Sequence, residues 1–255
     1  MTQHGHPTLR RAQSVAGVVL SLVLLGIAPA RSQDAPSYVV LASTVPSLAV
    51  GALIGDDMTL EVPQGASLTL IDPIGRIKVI EGPFLGRLRT DDEEEAEPSF
   101  LRDLANIIAE ADSADVTLGM GRSTLAPLVS PWLIALHQDL PDDLCVSPEG
   151  QLVFYRGDGG APGPETIRFS TTDGEQEVSV HWGSDDPLLR WPEELPPVDG
   201  ESYSIDRGAA PRPPDVILHL TPVTLDSDAH AAVWLARSGC QLQAEAMVRR
   251  MALGG

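Results

Sequence analysis

Lysine is almost missing from this chain. Of 255 residues only Lys78 is a lysine, and Lys and Arg together number 17 against 36 Asp and Glu, for a formal charge of −19. Nucleic-acid binding and adhesion to anionic lipid both need clustered cations, so both are excluded as functions. Aromatic residues make up 4% of the chain, so the few present mark where the densest core should form. The longest apolar run, Val15 to Ile27, is 13 residues, too short for a hydrocarbon core that takes roughly 20 helical residues to cross. Also absent are a G-x-S-x-G elbow, a phosphate-binding G-x-x-x-x-G-K-S/T loop, an H-E-x-x-H helix and any CxxC or CxxH spacing. The commonest hydrolase, nucleotide and zinc chemistries therefore have no motif here. Proline and glycine, at 22 and 23 residues, are plentiful and exclude a fold dominated by long helices.

The first residues read as an address. Arg10-Arg11, the apolar run and the small-x-small sequence Ala28-Pro29-Ala30 are the three parts of a secretory signal peptide, expected over residues 1–30. The twin arginine leaves the Tat route open beside Sec, and a retained anchor is the alternative to cleavage. Removal of residues 1–30 leaves 15 basic and 36 acidic residues, a net −21. A periplasmic or secreted location follows. In an oxidising compartment Cys145 and Cys240, the only cysteines, are expected to pair as a structural disulfide.

From residue 31 to 88 short apolar stretches alternate with turn residues. Leu48–Val50, Met58–Val62, Ser67–Ile71 and Arg76–Ile80 are the expected strands of a small antiparallel meander or barrel. Val50-Gly51, Gly55-Asp56, Val62-Pro63-x-Gly65-Ala66-x-Leu68-Thr-Leu70 and Asp72-x-x-Gly75 carry a further message. Over about 50 residues this rhythm resembles the FecR-like periplasmic domain. The resemblance implies a non-catalytic envelope module used in sensing or assembly.

Residues 89–131 read as an acidic linker followed by one amphipathic helix. Six of the seven residues from Asp91 to Glu97 are acids, lacking the alternate spacing and bend glycine of a calcium loop. Ser99 is a plausible N-cap, and Leu101, Leu104, Ala105, Ile108 and Ala111 form one stripe on a helix expected to pack on a sheet. The stretch from Ser113 to Ser130 is expected to be loose.

Residues 132–222 carry eight strand-like runs: Trp132–Leu136, Leu144–Val146, Gln151–Tyr155, Glu165–Ser170, Glu177–Trp182, Leu188–Trp191, Tyr203–Ile205 and Val216–Leu220. That spacing predicts a β-sandwich, with Asp173-Gly174 as its strongest hairpin signal. Trp132, Trp182, Trp191, Phe154, Tyr155 and Tyr203 place its core here. Trp191-Pro192, Leu195, Asp199-Gly200 and Tyr203 resemble the ending of Ig-like envelope sandwiches. Finally, residues 223–255 predict a helical hairpin, with apolar stripes at Ala229/Ala232/Val233/Ala236 and Ala244/Met247/Val248/Met251, and Gly239 at the first helix end.

The expected fold is thus mainly β, with a FecR-like module, a central Ig-like sandwich and a C-terminal α-helical hairpin. No catalytic residue, cofactor or metal ligand is expected. His181 and His219 lie on expected strands that could bring them together as metal ligands, although scattered histidines more often sit on strand faces or turns. The expected function is that of a non-enzymatic envelope protein, a protein-interaction or sensory accessory module with an envelope protein as partner. The alternative is a carbohydrate- or cell-wall-binding sandwich, which would need exposed aromatics.

Overall fold

The computed structural model describes residues 36–55, 57–88, 99–118, 130–136, 140–156, 163–208 and 215–253, all within one compact unit, residues 34–255. The expected signal sequence, the acidic run and His137 lie outside the described residues.

The N-terminal part holds β1 (Pro36–Ser43), β2 (Leu53–Gly55), β3 (Thr59–Val62), β4 (Ser67–Ile71), β5 (Ile77–Glu81) and β6 (Phe84–Arg87). All its pairings are antiparallel, in a four-stranded sheet of order β2-β1-β4-β5 and a β3-β6 ladder. A core of Tyr38, Val40, Ile54, Leu60, Val62, Leu68, Leu70 and Ile80 fills the space between them. Two expectations need correction. Leu48–Val50 is a turn, closed by the Leu48 N–H on the Val45 carbonyl and the Ala52 N–H on the Ala49 carbonyl, although Leu48 is buried. The sheet is also not a sequential meander, because β1 inserts between β2 and β4. Strand β1 contains Tyr38-Val39-Val40-Leu41, buried on both faces, so it lacks the alternation that marks a half-exposed strand.

Tyr38 and Val40 enter the core between the small sheets, while Val39 and Leu41, with Ile71 of β4, face a layer of helices. The helices are α1 (Phe100–Leu118), α2 (Asp228–Arg237) and α3 (Gln241–Ala252). The expected stripe on α1 is buried, joined by Phe100 and Ile107. Of the stretch expected to be loose, Ser113–Leu118 instead continue α1, and residues 119–129 lie outside the described residues. In α2 and α3 the buried faces are Ala229, Ala231, Ala232, Val233, Leu235 and Ala244, Met247, Val248, Met251. All three helices share one core. Arg237 of α2 reaches Asp103 and Ser99 at the start of α1, and Arg250 of α3 pairs with Asp228 at the start of α2.

The third part comprises β7 (Leu133–Leu136), β8 (Asp143–Val146), β9 (Val153–Arg156), β10 (Glu165–Thr171), β11 (Glu177–Trp182), β12 (Leu188–Arg190), β13 (Ser202–Asp206) and β14 (Asp215–Leu220). A five-stranded sheet, β11-β10-β13-β14-β8, and a three-stranded sheet, β12-β9-β7, enclose a core built from Phe154, Ile167, Phe169, Trp182, Trp191, Tyr203 and Leu218. Two pairings, β14 with β8 and β7 with β9, are parallel. Gly174 sits at φ +74° in the β10–β11 turn. There the Thr171 hydroxyl and the Glu175 N–H bond the Asp173 carboxylate and hold its pKa below the usual value. Trp191 stands edge-on to Tyr203 at 5.2 Å, and the Tyr203 hydroxyl accepts from Val198 N–H and donates to the Pro196 carbonyl. Trp132, expected in this core, instead packs half-buried against the helical one.

Candidate protein interface

Cys145 on β8 and Cys240, the residue before α3, form the expected disulfide, with Cα atoms 6.0 Å apart and 95 residues between them in sequence. Both sulfur-bearing residues are buried, so the bond is a structural staple and not an accessible thiol. One turn into α3, Gln243 adds a polar clamp beside the staple. Its Oε1 accepts from the Cys145 N–H at 2.7 Å, and its Nε2 donates to the carbonyls of Cys145 and Pro131 at 2.8 and 2.9 Å. Strand β8 ends its sheet, and this side chain satisfies the outward peptide groups of Cys145, which a further strand would have taken. Nothing in the sequence marked Gln243, a lone amide on a helix face that otherwise reads as apolar.

The other edge of interest lies in the N-terminal sheet. Antiparallel register pairs Ile71 with Ile77, Leu70 with Lys78, Thr69 with Val79, Leu68 with Ile80 and Ser67 with Glu81. The ladder is anchored at its two ends by Asp72 N–H to the Arg76 carbonyl and Gly82 N–H to the Ala66 carbonyl. Because narrow and wide pairs alternate, Arg76, Lys78, Ile80 and Gly82 turn their peptide groups toward β4. The N–H and C=O groups of Ile77, Val79 and Glu81 therefore point outward. Among the described residues none of these groups has a partner, and β5 has no neighbour on that side.

Side chains on the same strand reinforce this opening. Ile77 and Val79 share one face and are 48% and 60% exposed, whereas Ile80 on the other face is buried. Lys78 lies 5.9 Å from the centre of the Tyr38 ring, and no carboxylate among the described residues pairs with it. The edge thus offers three peptide units, two apolar side chains and the ammonium of the chain's one lysine. Natural edges are usually shorter, twisted away or covered. The resemblance-bearing residues flank this strand, at Asp72 to Gly75 and Val62 to Leu70, but the edge itself was not foreseen as a site.

Other constellations resolve into structural roles. His181 on β11 and His219 on β14 are three strands apart in one sheet, roughly 14 Å, so they do not meet. His219 instead contacts Asp143 at 2.7 Å. Ser227 and His230 lie 2.8 Å apart, an arrangement that invites comparison with a nucleophile and base. Here the Ser227 hydroxyl caps α2 by accepting from the His230 N–H, and the His230 ring stacks on Phe100 at 4.5 Å. The Asp72–Arg76 turn presses on both: a Cβ at Gly75 would lie 2.2 Å from the Ser227 hydroxyl. Both groups thus serve the start of α2 and its packing on this turn.

A cleft of about 150 Å³ lies between β7, β8 and α3, walled by Leu133, Leu144, Tyr155 and Leu242; Asp143, its one carboxylate, is engaged by His219. A groove of about 420 Å³ runs along Trp191, Pro192, Pro196 and Pro197, between Glu149 and Glu193. Trp191 is only 7% exposed, and Trp182, Phe154 and Tyr203 are buried, so these aromatics form core and not a sugar platform. Among the described residues no group of three His, Cys, Asp or Glu side chains is arranged to hold a metal ion, and no helix is long and apolar enough to cross a membrane.

No family model, curated protein or solved structure matches this chain. The site is therefore read from its own chemistry: an unpaired, partly apolar strand edge beside a helical layer stapled to a sandwich.

Proposed function

We propose that the chain is a non-enzymatic protein-interaction or sensory accessory module of the cell envelope, exported through the sequence at residues 1–30 and built on a FecR-like N-terminal part. The observation that carries this reading is the open edge of β5, where Ile77 and Val79 stand exposed beside outward peptide groups. An apolar edge of this kind favours a protein strand over a small molecule or a glycan. The stapled helical layer and sandwich would hold that edge in fixed geometry, as an accessory module requires.

The test is affinity capture. The chain from residue 31 onward, immobilised and exposed to an envelope fraction, should recover one envelope protein reproducibly and stoichiometrically. Retention on insoluble cell-wall glycan, with no protein recovered, would overturn the reading.

A further inference from the structure

We infer that β5 is a docking edge for an extended strand of another protein carrying an apolar–acidic–apolar triplet, with the acidic residue opposite Lys78. This rests on the protein-interaction reading above and specifies its partner.

Backbone chemistry sets the first requirement. Three consecutive outward units, at Ile77, Val79 and Glu81, match an added strand's alternating donors and acceptors. Side chains set the second. Residues facing Ile77 and Val79 stand on the face where Ile71 enters the helical core, so apolar groups there extend buried surface. The residue between them falls on the opposite face, beside Lys78, the chain's one lysine. There a carboxylate meets an ammonium that no carboxylate among the described residues pairs.

The same groups argue against a second copy of this chain. Antiparallel self-pairing must set outward residues against outward residues. The register that opposes Ile77 to Val79 of a second copy places Lys78 directly against Lys78, with Cα atoms about 4.5 Å apart as in any wide pair. The register centred on Val79 sets each Ile77 against a charged Glu81. Two chains of formal charge −19 also repel. Lys78 therefore disfavours the register that would match the apolar residues of two copies, and Glu81 the register centred on Val79, while Lys78 admits an acidic partner strand.

Two peptides test this, acetyl-Thr-Val-Glu-Val-Thr-amide and its twin with Lys for Glu, each at millimolar concentration with the full chain. Hydrogen exchange at the Ile77, Val79 and Glu81 amides is the readout. The Glu peptide should slow exchange at those three amides, with an affinity about tenfold above that of the twin. Lys78→Glu should reverse the preference. Val79→Pro should abolish protection by either peptide, and because the Val79 N–H points away from β4 this variant keeps the β4–β5 ladder. Equal protection by both peptides, or none at the three amides, overturns the inference. A photo-crosslinker placed at position 79 or at exposed position 198, used on the envelope fraction, separates the two claims. Adducts from both positions, or from position 79 alone, support the edge. Adducts from position 198 alone defeat the edge and spare the interaction reading. Adducts from neither defeat both.

Discussion

Gln243 holds Cys145 by both of its peptide groups, accepting from the N–H and donating to the carbonyl, while 3% exposed. In the parallel β8–β14 ladder, Cys145 turns both groups to the same outer side, so one amide side chain serves in place of a strand. Disulfide and amide together seat α3 on the sandwich. The expected consequence is that Gln243→Ala leaves three buried backbone groups unpaired and costs about 3 kcal/mol in urea unfolding. Gln243→Glu, which cannot donate when ionised, should cost at least as much at pH 7. A loss below about 1 kcal/mol for both variants would show that water or rearrangement satisfies the edge.

The disulfide closes a long loop between sandwich and helices. In the chain-entropy picture a bridge across 95 residues stabilises by about 4–5 kcal/mol, less any strain. Replacing Cys145 and Cys240 together by Ala should lower the unfolding free energy read from urea titration by a comparable amount, and excess reductant should do the same to the unmodified protein. Free thiols at both positions in non-reducing mass mapping of the protein, purified without reductant, would sink the assignment.

Gly75 occupies φ +80° with the Ser227 hydroxyl where a side chain would be. Gly75→Ala should therefore destabilise by about 2–4 kcal/mol through backbone strain and displacement of the α2 cap. Combining it with Ser227→Ala removes the closest contact, leaving His230 Nδ1 at 3.0 Å, so the double variant should lose less than the sum of the singles. Additive losses would show that the turn and the helix start are not in contact.

Tyr203 supplies a pH-dependent test. Burial, the largest cause, raises its pKa above the ordinary value near 10; the Glu201 charge adds to this and the Val198 N–H opposes it. A group raised in the folded state binds its proton more tightly there than in the unfolded chain. Its contribution is fully present below pH about 10 and is lost as pH rises through the folded pKa. Stability should fall across that window, and Tyr203→Phe should flatten the fall. The same variant should cost about 1 kcal/mol at pH 7 by removing the hydroxyl's bonds to Val198 and Pro196. An unchanged alkaline slope would assign the titration to another group.

Local pattern was legible wherever one face of an element meets water. Strands β10 to β14 lie at or within one or two residues of their expected limits, because alternation and turns such as Asp173-Gly174 are local properties. The stripe Leu101, Leu104, Ala105, Ile108 and Ala111 announced α1 in the same way. Strand β1 escaped because a strand buried on both faces has no alternation. Leu48–Val50 misled because a short apolar turn can bury a side chain as a strand does.

By itself, then, the sequence determined the mainly β class, the helical hairpin, the scarcity of cations and a pair of cysteines with no partners but each other. Only the tertiary structure decided that α1 and the hairpin share one core, that β8 and β14 run parallel, that Gln243 caps Cys145 on one sheet edge and that β5 is left open. Each of these depends on which distant segments become neighbours. Hydrogen-bond satisfaction and burial settle that choice across the whole fold, whereas periodicity reports only the character of a single element.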